Sequence, residues 1–338
     1  MQHRTPARLG RALSVIGQGC WQIGADWGTV SDESANAVLD TAVEAGVTFF
    51  DTADVYGDGR SERLVGALRE RLGSDEDPSR PLFAATKASR RADPFAAESM
   101  TEENLRAWVE RSRQNLAMDT LDLLQLHCPP PAVYRDDRVF DVLDTLAQEG
   151  RIAAWGVSVE TCEEALLSLE REHLASIQII VNPFRLKPLE QVLPLADERG
   201  VAIIARVPLA SGLLTGKFSP DSRFAADDHR SYNRHGEAFD QGETFSGVAY
   251  GTGLEAVARL EAALAGQMPL AEASLRWIVD QRGITAVIPG ASSSDQARAN
   301  AAAGSAATPE QQEILDRFDA AVHATYDELL RDSIHPRW

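Results

Sequence analysis

Eight short apolar, β-branched runs alternate with longer stretches of helical period along this chain, and that rhythm constrains its fold more than any other feature. The runs are Ser14–Cys20, Val47–Phe50, Leu82–Thr86, Leu121–Leu126, Ala153–Ser158, Ile177–Val181, Val201–Ala205 and Thr285–Ile288. Between them lie the helical stretches Asp32–Ala45, Ser61–Leu72, Thr101–Leu116, Asp137–Gln148, Cys162–Glu170, Leu189–Glu198 and Leu270–Asp280. Strands that alternate with helices pair in parallel, and eight repeats predict a closed (β/α)8 barrel of the α/β class rather than an open sheet. Gly46, Gly150 and Gly200 stand between a helical stretch and the next run, where a helix end favours glycine. A length of 338 residues suits one such barrel with insertions, so residues 1–338 are read as a single domain.

Two stretches depart from the rhythm. Val207 to about Thr252 has no clear period, and a loop this long in a compact domain is usually functional or partly helical. It is expected to cover the barrel mouth. Its part Ser219–Ser246 carries Arg223, Phe224, His229, Arg230, Tyr232, Asn233, Arg234, His235 and Phe239. That mixture suits either contact with a polyol or charged small molecule, or a solvated lid. After Asn300 the chain is Ala-rich, and Thr308-Pro309-Glu310 then reads as cap, first-turn proline and first-turn acid of a further helix.

Composition removes several function classes. Lys and Arg number 33 against 51 Asp and Glu, a formal charge of −18. Nucleic acid and anionic membrane surfaces call for a basic footprint, so neither is expected as a main partner. Cys20, Cys128 and Cys162 are too widely spaced for a disulfide framework and match no zinc spacing; no metal is expected, and a reducing cytoplasm is the simple reading. The first residues lack the apolar core of a secretory signal, and no run approaches the ~20 apolar residues of a membrane helix. The expected partner is a small molecule, and no oligomeric state is implied.

The chemistry emerges from the polar residues at the strand ends. Asp51 comes after VTFF, Lys87 after the third run, His127 after the fourth, Ser158 at the end of the fifth, and Arg206 after the seventh. The carboxyl ends of the strands of a (β/α)8 barrel face one mouth, where active sites of this fold lie. These residues are therefore expected to converge, with Tyr56 folding over them from the loop DTADVYGDG. Singly, each has an ordinary explanation: a loop cap, a surface lysine, a satisfied histidine, a loop anchor. Jointly they fit one mechanism. A phenol has a reference pKa of ~10, an adjacent ammonium stabilises its anion, and a carboxylate keeps a partly buried lysine charged. Tyr56 then exchanges a proton with a carbonyl oxygen while hydride moves, Lys87 tunes it, Asp51 holds Lys87, and a His127 N–H orients the oxygen.

DTADVYG, ATK, LHCP and WGVS, in this order and spacing, resemble the aldo-keto reductase superfamily, as do GQGCW, YGDGRSE, PLASGLLTGKF and IPGASSSDQARAN. The likeness runs from about Leu9 to Asn300. It implies a single TIM barrel with an N-terminal β-hairpin cap, a long loop after the seventh strand and a C-terminal helical extension. It also implies an NADP(H)-dependent oxidoreductase that reduces aldehydes or ketones, or oxidises alcohols, with NAD possible. The family's catalytic tetrad falls on Asp51, Tyr56, Lys87 and His127. Ser158 and Gln178 match positions on the nicotinamide carboxamide, and Leu209 and Ser211 the loop over the pyrophosphate. Gly290, Ser292, Ser293, Gln296 and Asn300 match the stretch around the adenosine. Cys20 and Trp21 match a cofactor-lining strand end, with Asp51 counted there too; Trp21 belongs either to the substrate pocket or to the core.

The sequence departs from that pattern in three places. Val159 follows Ser158 where many members carry asparagine. Arg206 replaces a tyrosine that stacks under the nicotinamide, and is either a substitute guanidinium platform or the partner of a rim acid. Gly290 and Gln296 stand where a lysine and an arginine meet the 2′-phosphate, leaving Lys217, Arg223 or Arg298 to supply charge. Pocket shape is expected to depend on Asp26–Val30, Pro129–Arg135 and Ser219–Ser246. Two rival readings are a cofactor-binding regulatory module resembling potassium-channel β-subunits and a (β/α)8 isomerase or lyase without nicotinamide.

Overall fold

The computed structural model describes residues 1–24, 30–73 and 82–338. His3–Arg4 (β1) pairs antiparallel with Leu13–Ser14 (β2). Eight parallel strands come next: Gln18–Gly19 (β3), Phe49–Asp51 (β4), Phe83–Ala88 (β5), Leu123–His127 (β6), Trp155–Ser158 (β7), Leu174–Ile180 (β8), Ala202–Arg206 (β9) and Ile284–Val287 (β10). They pair in chain order from β3 to β10. Single parallel bridges, Ile16 to Val287 and Gly19 to Gly290, join the last strand's side to the first and complete the ring. The outer layer comprises α1 (Asp32–Glu44), α2 (Arg60–Leu72), α3 (Glu102–Leu116), α4 (Asp137–Gln148), α5 (Cys162–Leu169), α6 (Val192–Arg199), α7 (Tyr250–Leu264), α8 (Leu270–Asp280), α9 (Ser294–Ala302) and α10 (Pro309–Thr325).

This is the (β/α)8 barrel that the rhythm predicts, with the hairpin and the carboxyl-side helix in place. The first expected run divides: Ser14 pairs in the hairpin, while Gln18–Gly19 enters the ring. Thr308 caps α10 through a box with Gln311, and Pro309 occupies its first turn, as the local sequence predicts. The aperiodic stretch after β9 is partly helical, with short turns at Ala210–Thr215, His229–Tyr232, Gln241–Glu243 and Phe245–Gly247. It ends earlier than expected, because α7 begins at Tyr250. Of the expected pocket loop Asp26–Val30, all but Val30 lies outside the described residues.

Side chains alternate across a strand, so every second residue points into the ring. At the strand starts these inward residues are apolar: Phe49, Phe83, Ala85, Leu123, Ile204 and Ala286 pack together, and Leu13 of the hairpin joins them from below. The intervening residues, including Phe50, Leu124, Leu126, Ile177 and Ile203, pack outward beneath the helices. Continued two residues at a time toward the carboxyl ends, the same inward rows deliver Asp51, Lys87, Gln125, His127, Ser158, Gln178 and Arg206, all buried. The floor of the barrel is thus hydrocarbon and its mouth ionisable. Trp155 packs outward as expected, its indole N–H donating to Asp144 at 2.7 Å and its ring 5.4 Å from that of Phe140. The three cysteines are buried and free. Among the described residues no helix is long and apolar enough to cross a membrane.

Candidate active site

Lys87 lies at the centre of the mouth and is 1 % exposed. Its ammonium donates to Asp51 Oδ1 at 2.5 Å and to the Thr52 carbonyl at 2.9 Å. The other carboxylate oxygen accepts from Gln178 Nε2 at 2.8 Å and from Gln125 Nε2 at 3.3 Å. Burial works against the ammonium, but Asp51 and Tyr56 outweigh it, and the lysine is held above its ordinary range. The Lys87 nitrogen is 5.2 Å from the centre of the Tyr56 ring.

Tyr56 reaches this position through a tight contact. A side-chain carbon at Gly57 would lie 1.7 Å from the Gly24 carbonyl oxygen, and φ there is +58°, so glycine lets the tyrosine loop press on the turn formed by Trp21–Gly24. The Trp21 and Tyr56 rings stack 6.1 Å apart, and His127 meets Tyr56 edge-on at 5.7 Å. Burial pushes the Tyr56 phenol up to about 12, although Lys87 pulls it down. The lysine therefore acts in the expected direction but does not prevail, and the phenol keeps its proton at neutral pH. Burial, followed by the charges of Arg90, Lys87 and Arg206, holds His127 well below its ordinary range, which leaves a neutral imidazole. Its Nδ1 is buried without a hydrogen-bond partner.

Asp54, in the same loop, is fully buried, and neither of its carboxyl oxygens is hydrogen-bonded. Burial and neighbouring Glu62 push it up to about 7, against the pull of Arg91 and Arg111.

A cleft of about 610 Å³ runs from Tyr56, His127 and Asp51 to the amino end of α9. Of the expected cofactor residues, Cys20, Trp21, Asp51, Gln178, Arg206, Leu209, Ser211, Gly290, Ser292, Gln296 and Asn300 line it. Ser158 and Ser293 do not. Ser158 is 1 % exposed, with its hydroxyl against the Cys128 thiol, and Ser293 caps α9 by accepting from the Gln296 N–H. The Ser211 hydroxyl is engaged locally, donating to the Glu243 carbonyl and accepting from the Phe245 N–H, both at 3.0 Å. Lys217 lines the cleft, as the need for a cation suggested, whereas Arg298 is exposed and paired with Asp295. The expected loop Pro129–Arg135 is a tight turn that contributes nothing to the cleft wall. Gln22 lines the cleft without having been expected there, and Arg230 and Glu243 line it from the loop Ser219–Ser246, which was expected to shape the pocket without either being singled out as a wall residue. The first lies on a helical turn and the others in the aperiodic stretch, where no period marks a facing side.

Arg206 is paired with rim acids and also lines the cleft. It donates to Glu160 at 2.6 Å and to the Val159 carbonyl at 3.0 Å, and lies 3.7 Å from Glu243. Arg90 joins the same group, donating to Glu243 at 2.6 Å and lying 3.5 Å from Glu160.

Comparison with known proteins agrees with this architecture. The aldo/keto reductase family model matches residues 15–321. The chain is 30 % identical to aldo-keto reductase YhdN of Bacillus subtilis, over 86 % of this chain and 85 % of that one. It is 27 % identical to a probable voltage-gated potassium channel subunit beta of Oryza sativa, over 96 % and 97 %. Among solved structures, the glycerol dehydrogenase AKR11B4 of Gluconobacter oxydans superposes with a TM-score of 0.73 at 27 % identity, covering 94 % and 95 % of the two chains. A closed ring of eight parallel strands with its ionisable groups at the carboxyl mouth, together with a family match over nearly its whole length, places this chain in the aldo/keto reductase family of oxidoreductases.

Proposed function

We propose that the protein is an NADP(H)-dependent reductase of aldehydes or ketones, able to run in reverse on alcohols, with Tyr56 as its acid/base and residues 1–338 acting as one catalytic domain. The observation that carries this reading is the Lys87 ammonium, buried between Asp51 and the Tyr56 ring at the end of the cleft. The cleft suits an extended dinucleotide. It is long, it joins the ionisable mouth to the amino end of α9, and the free N–H groups of a helix start favour a phosphate. Lys217 adds a cation along the wall. The Gln22 amide occupies the space directly over Gly290, within 2.1 Å of where a side-chain carbon would stand. Hydroxyl and amide groups of Ser292, Gln296 and Asn300 therefore face this end of the cleft, an arrangement that also accommodates NAD(H).

When bound, the nicotinamide supplies a hydride to the carbonyl carbon. Tyr56 donates its proton to the carbonyl oxygen, a role suited to a phenol that remains protonated at neutral pH. Lys87 stabilises the phenolate left behind, and Asp51 keeps that lysine charged. The neutral His127 ring offers an N–H to the same oxygen and holds it against Tyr56. Gln178, held by Asp51, is assigned to the carboxamide, Leu209 and Ser211 to the pyrophosphate, and Arg206 to the underside of the nicotinamide.

The test is incubation with NADPH or NADH and a panel of sugars, steroids, quinones and small aldehydes. Repeated turnover is expected, along with a rise in melting temperature on adding the preferred dinucleotide. Stabilisation by dinucleotide without repeated turnover favours a regulatory module instead, a reading that the likeness to a channel subunit keeps in view. Failure of both dinucleotides to raise the melting temperature favours an isomerase or lyase.

A further inference from the structure

Four ionic side chains from four separate segments, Arg206 and Glu243 buried and Arg90 and Glu160 half-buried, meet beside the catalytic groups. Arg90 follows β5, Glu160 follows β7, Arg206 ends β9, and Glu243 belongs to the long loop between β9 and α7. Glu243 is the only one of the four from that loop, and both guanidinium groups reach it, Arg90 at 2.6 Å and Arg206 at 3.7 Å. Burial works against its charge, but Arg90 and Arg206 prevail and hold the carboxyl down at about 2. Glu160 differs: burial pushes it up to about 7. Both guanidinium groups reach Glu243, so removing its charge leaves two cations beside a single carboxylate, that of Glu160. Cys128, Glu160 and Glu243 are close enough together to suggest a cation site, but the two guanidinium groups already neutralise those carboxylates.

The region around Glu243 is bound on several sides. Its carbonyl accepts from Ser211, Asn182 donates to the Ser246 hydroxyl at 2.7 Å, and Asn233 donates to Thr244 at 3.1 Å. The Asn233 side-chain oxygen, Oδ1, accepts in turn from the N–H groups of Ala238 and Phe239. Asn233 thus couples the arch of residues 229–239 to the segment that Glu243 fastens. That arch carries two rings against Trp21: His229 and Phe239 lie 5.1 and 6.1 Å from its indole, which in turn stacks on Tyr56.

We propose that Glu243 is a positioning residue: bridged to Arg90 and Arg206, it fastens the loop so that His229 and Phe239 wall the space beside Tyr56, and so it sets how bulky a substrate the mouth admits. The loop-fastening half stands on geometry alone, while the substrate half rests on the carbonyl-reductase reading.

Two measurements keep these halves apart. Limited trypsin digestion of the native protein, with fragments identified by mass, reads access to Lys217, Arg223, Arg230 and Arg234 without reference to activity. Glu243→Gln is expected to speed cleavage there roughly tenfold, and Glu243→Asp to restore much of the protection, since opening of a loop follows the contacts that hold it down. In the NADPH-loaded enzyme, kcat/KM is compared for a small aliphatic aldehyde and a bulky aromatic one. Glu243→Gln is expected to raise KM for the small substrate several-fold, leave its kcat within about threefold, and shift selectivity toward the bulky one. Wild-type cleavage rates and unchanged selectivity in a folded Glu243→Gln protein overturn the proposal. Faster cleavage with unchanged selectivity overturns its substrate half. If no aldehyde is turned over at all, the carbonyl-reductase reading fails, and the digestion still decides the fastening. Should Glu243→Gln not fold, Arg90→Lys, which keeps the charge but gives up the forked contact, is measured the same way against the same outcomes.

Discussion

The mouth of this barrel holds two groups of charges, one fully and one partly buried, and they differ in where their members come from. In the first, Lys87 and Asp51 lie on adjacent strands, β5 and β4, whose ladder places Asp51 opposite Ala85, two residues before Lys87. Backbone pairing therefore sets their separation before any side chain is considered. In the second, Arg90, Glu160 and Glu243 project from loops, and only Arg206 lies on a strand. The first group has rigid support and one geometry. The second depends on a loop remaining in place. Chemistry that tolerates little displacement belongs on the rigid group, and adjustable access belongs on the other.

The largest expected effect falls on Tyr56, the loop residue that the strand-borne pair serves. Tyr56→Phe is expected to lower carbonyl reduction by about 10³-fold, with dinucleotide affinity in a fluorescence titration nearly unchanged. Full activity in this variant would remove the functional distinction between the two groups. Lys87→Met is expected to cost about 10²-fold in turnover and roughly 3 kcal/mol in urea unfolding, because Asp51 is left as a buried unpaired charge. Adding Asp51→Asn should return much of the stability and none of the activity, which separates holding the fold from tuning the phenol.

Arg206→Ala probes the one strand residue shared with the loop-borne group. Dinucleotide binding is expected to weaken about tenfold, or roughly 1.4 kcal/mol. Unchanged affinity would return Arg206 wholly to its acid partners.

The last expected effect is on stability alone and concerns Asp54, which belongs to neither group. Its folded-state pKa, about 7, lies above the ordinary carboxyl value of 3.8. Between those values the folded protein holds a proton that the unfolded chain has released. Stability therefore falls as pH rises through that window, by up to roughly 1 kcal/mol per pH unit, and levels off above it. Asp54→Asn should flatten that part of the profile, measured by urea unfolding from pH 4 to 8. A profile identical to wild type would place the carboxyl in contact with solvent.

The difference between the two groups also explains what the sequence made legible. Asp51, Lys87 and His127 could be placed together because each ends an apolar run, and alternation along a strand determines which way such a residue points. Tyr56 was within reach because it lies five residues beyond Asp51 in a glycine-bounded loop. Glu160 and Glu243 carried no such signal. In a chain with 51 acidic side chains, one more acid in an aperiodic stretch reads as solvated surface, and only the folded loop reveals that it faces two guanidinium groups. The net rise of the Tyr56 pKa was hidden for a related reason. Sequence indicates a neighbouring cation but not the extent of desolvation, and here desolvation prevails.

Completion of the ring has a consequence for how the chain is made. The bridges that join Ile16 to Val287 and Gly19 to Gly290 unite segments from near opposite ends of the sequence. During synthesis β3 to β9 emerge well before β10, so a growing chain presents an incomplete sheet with two unpaired edges and an unsealed hydrocarbon floor. Emergence of β10, rather than collapse of the early strands, is then the point at which the last wall can lock, and a chain truncated before Ile284 should be a client for chaperones rather than a smaller enzyme.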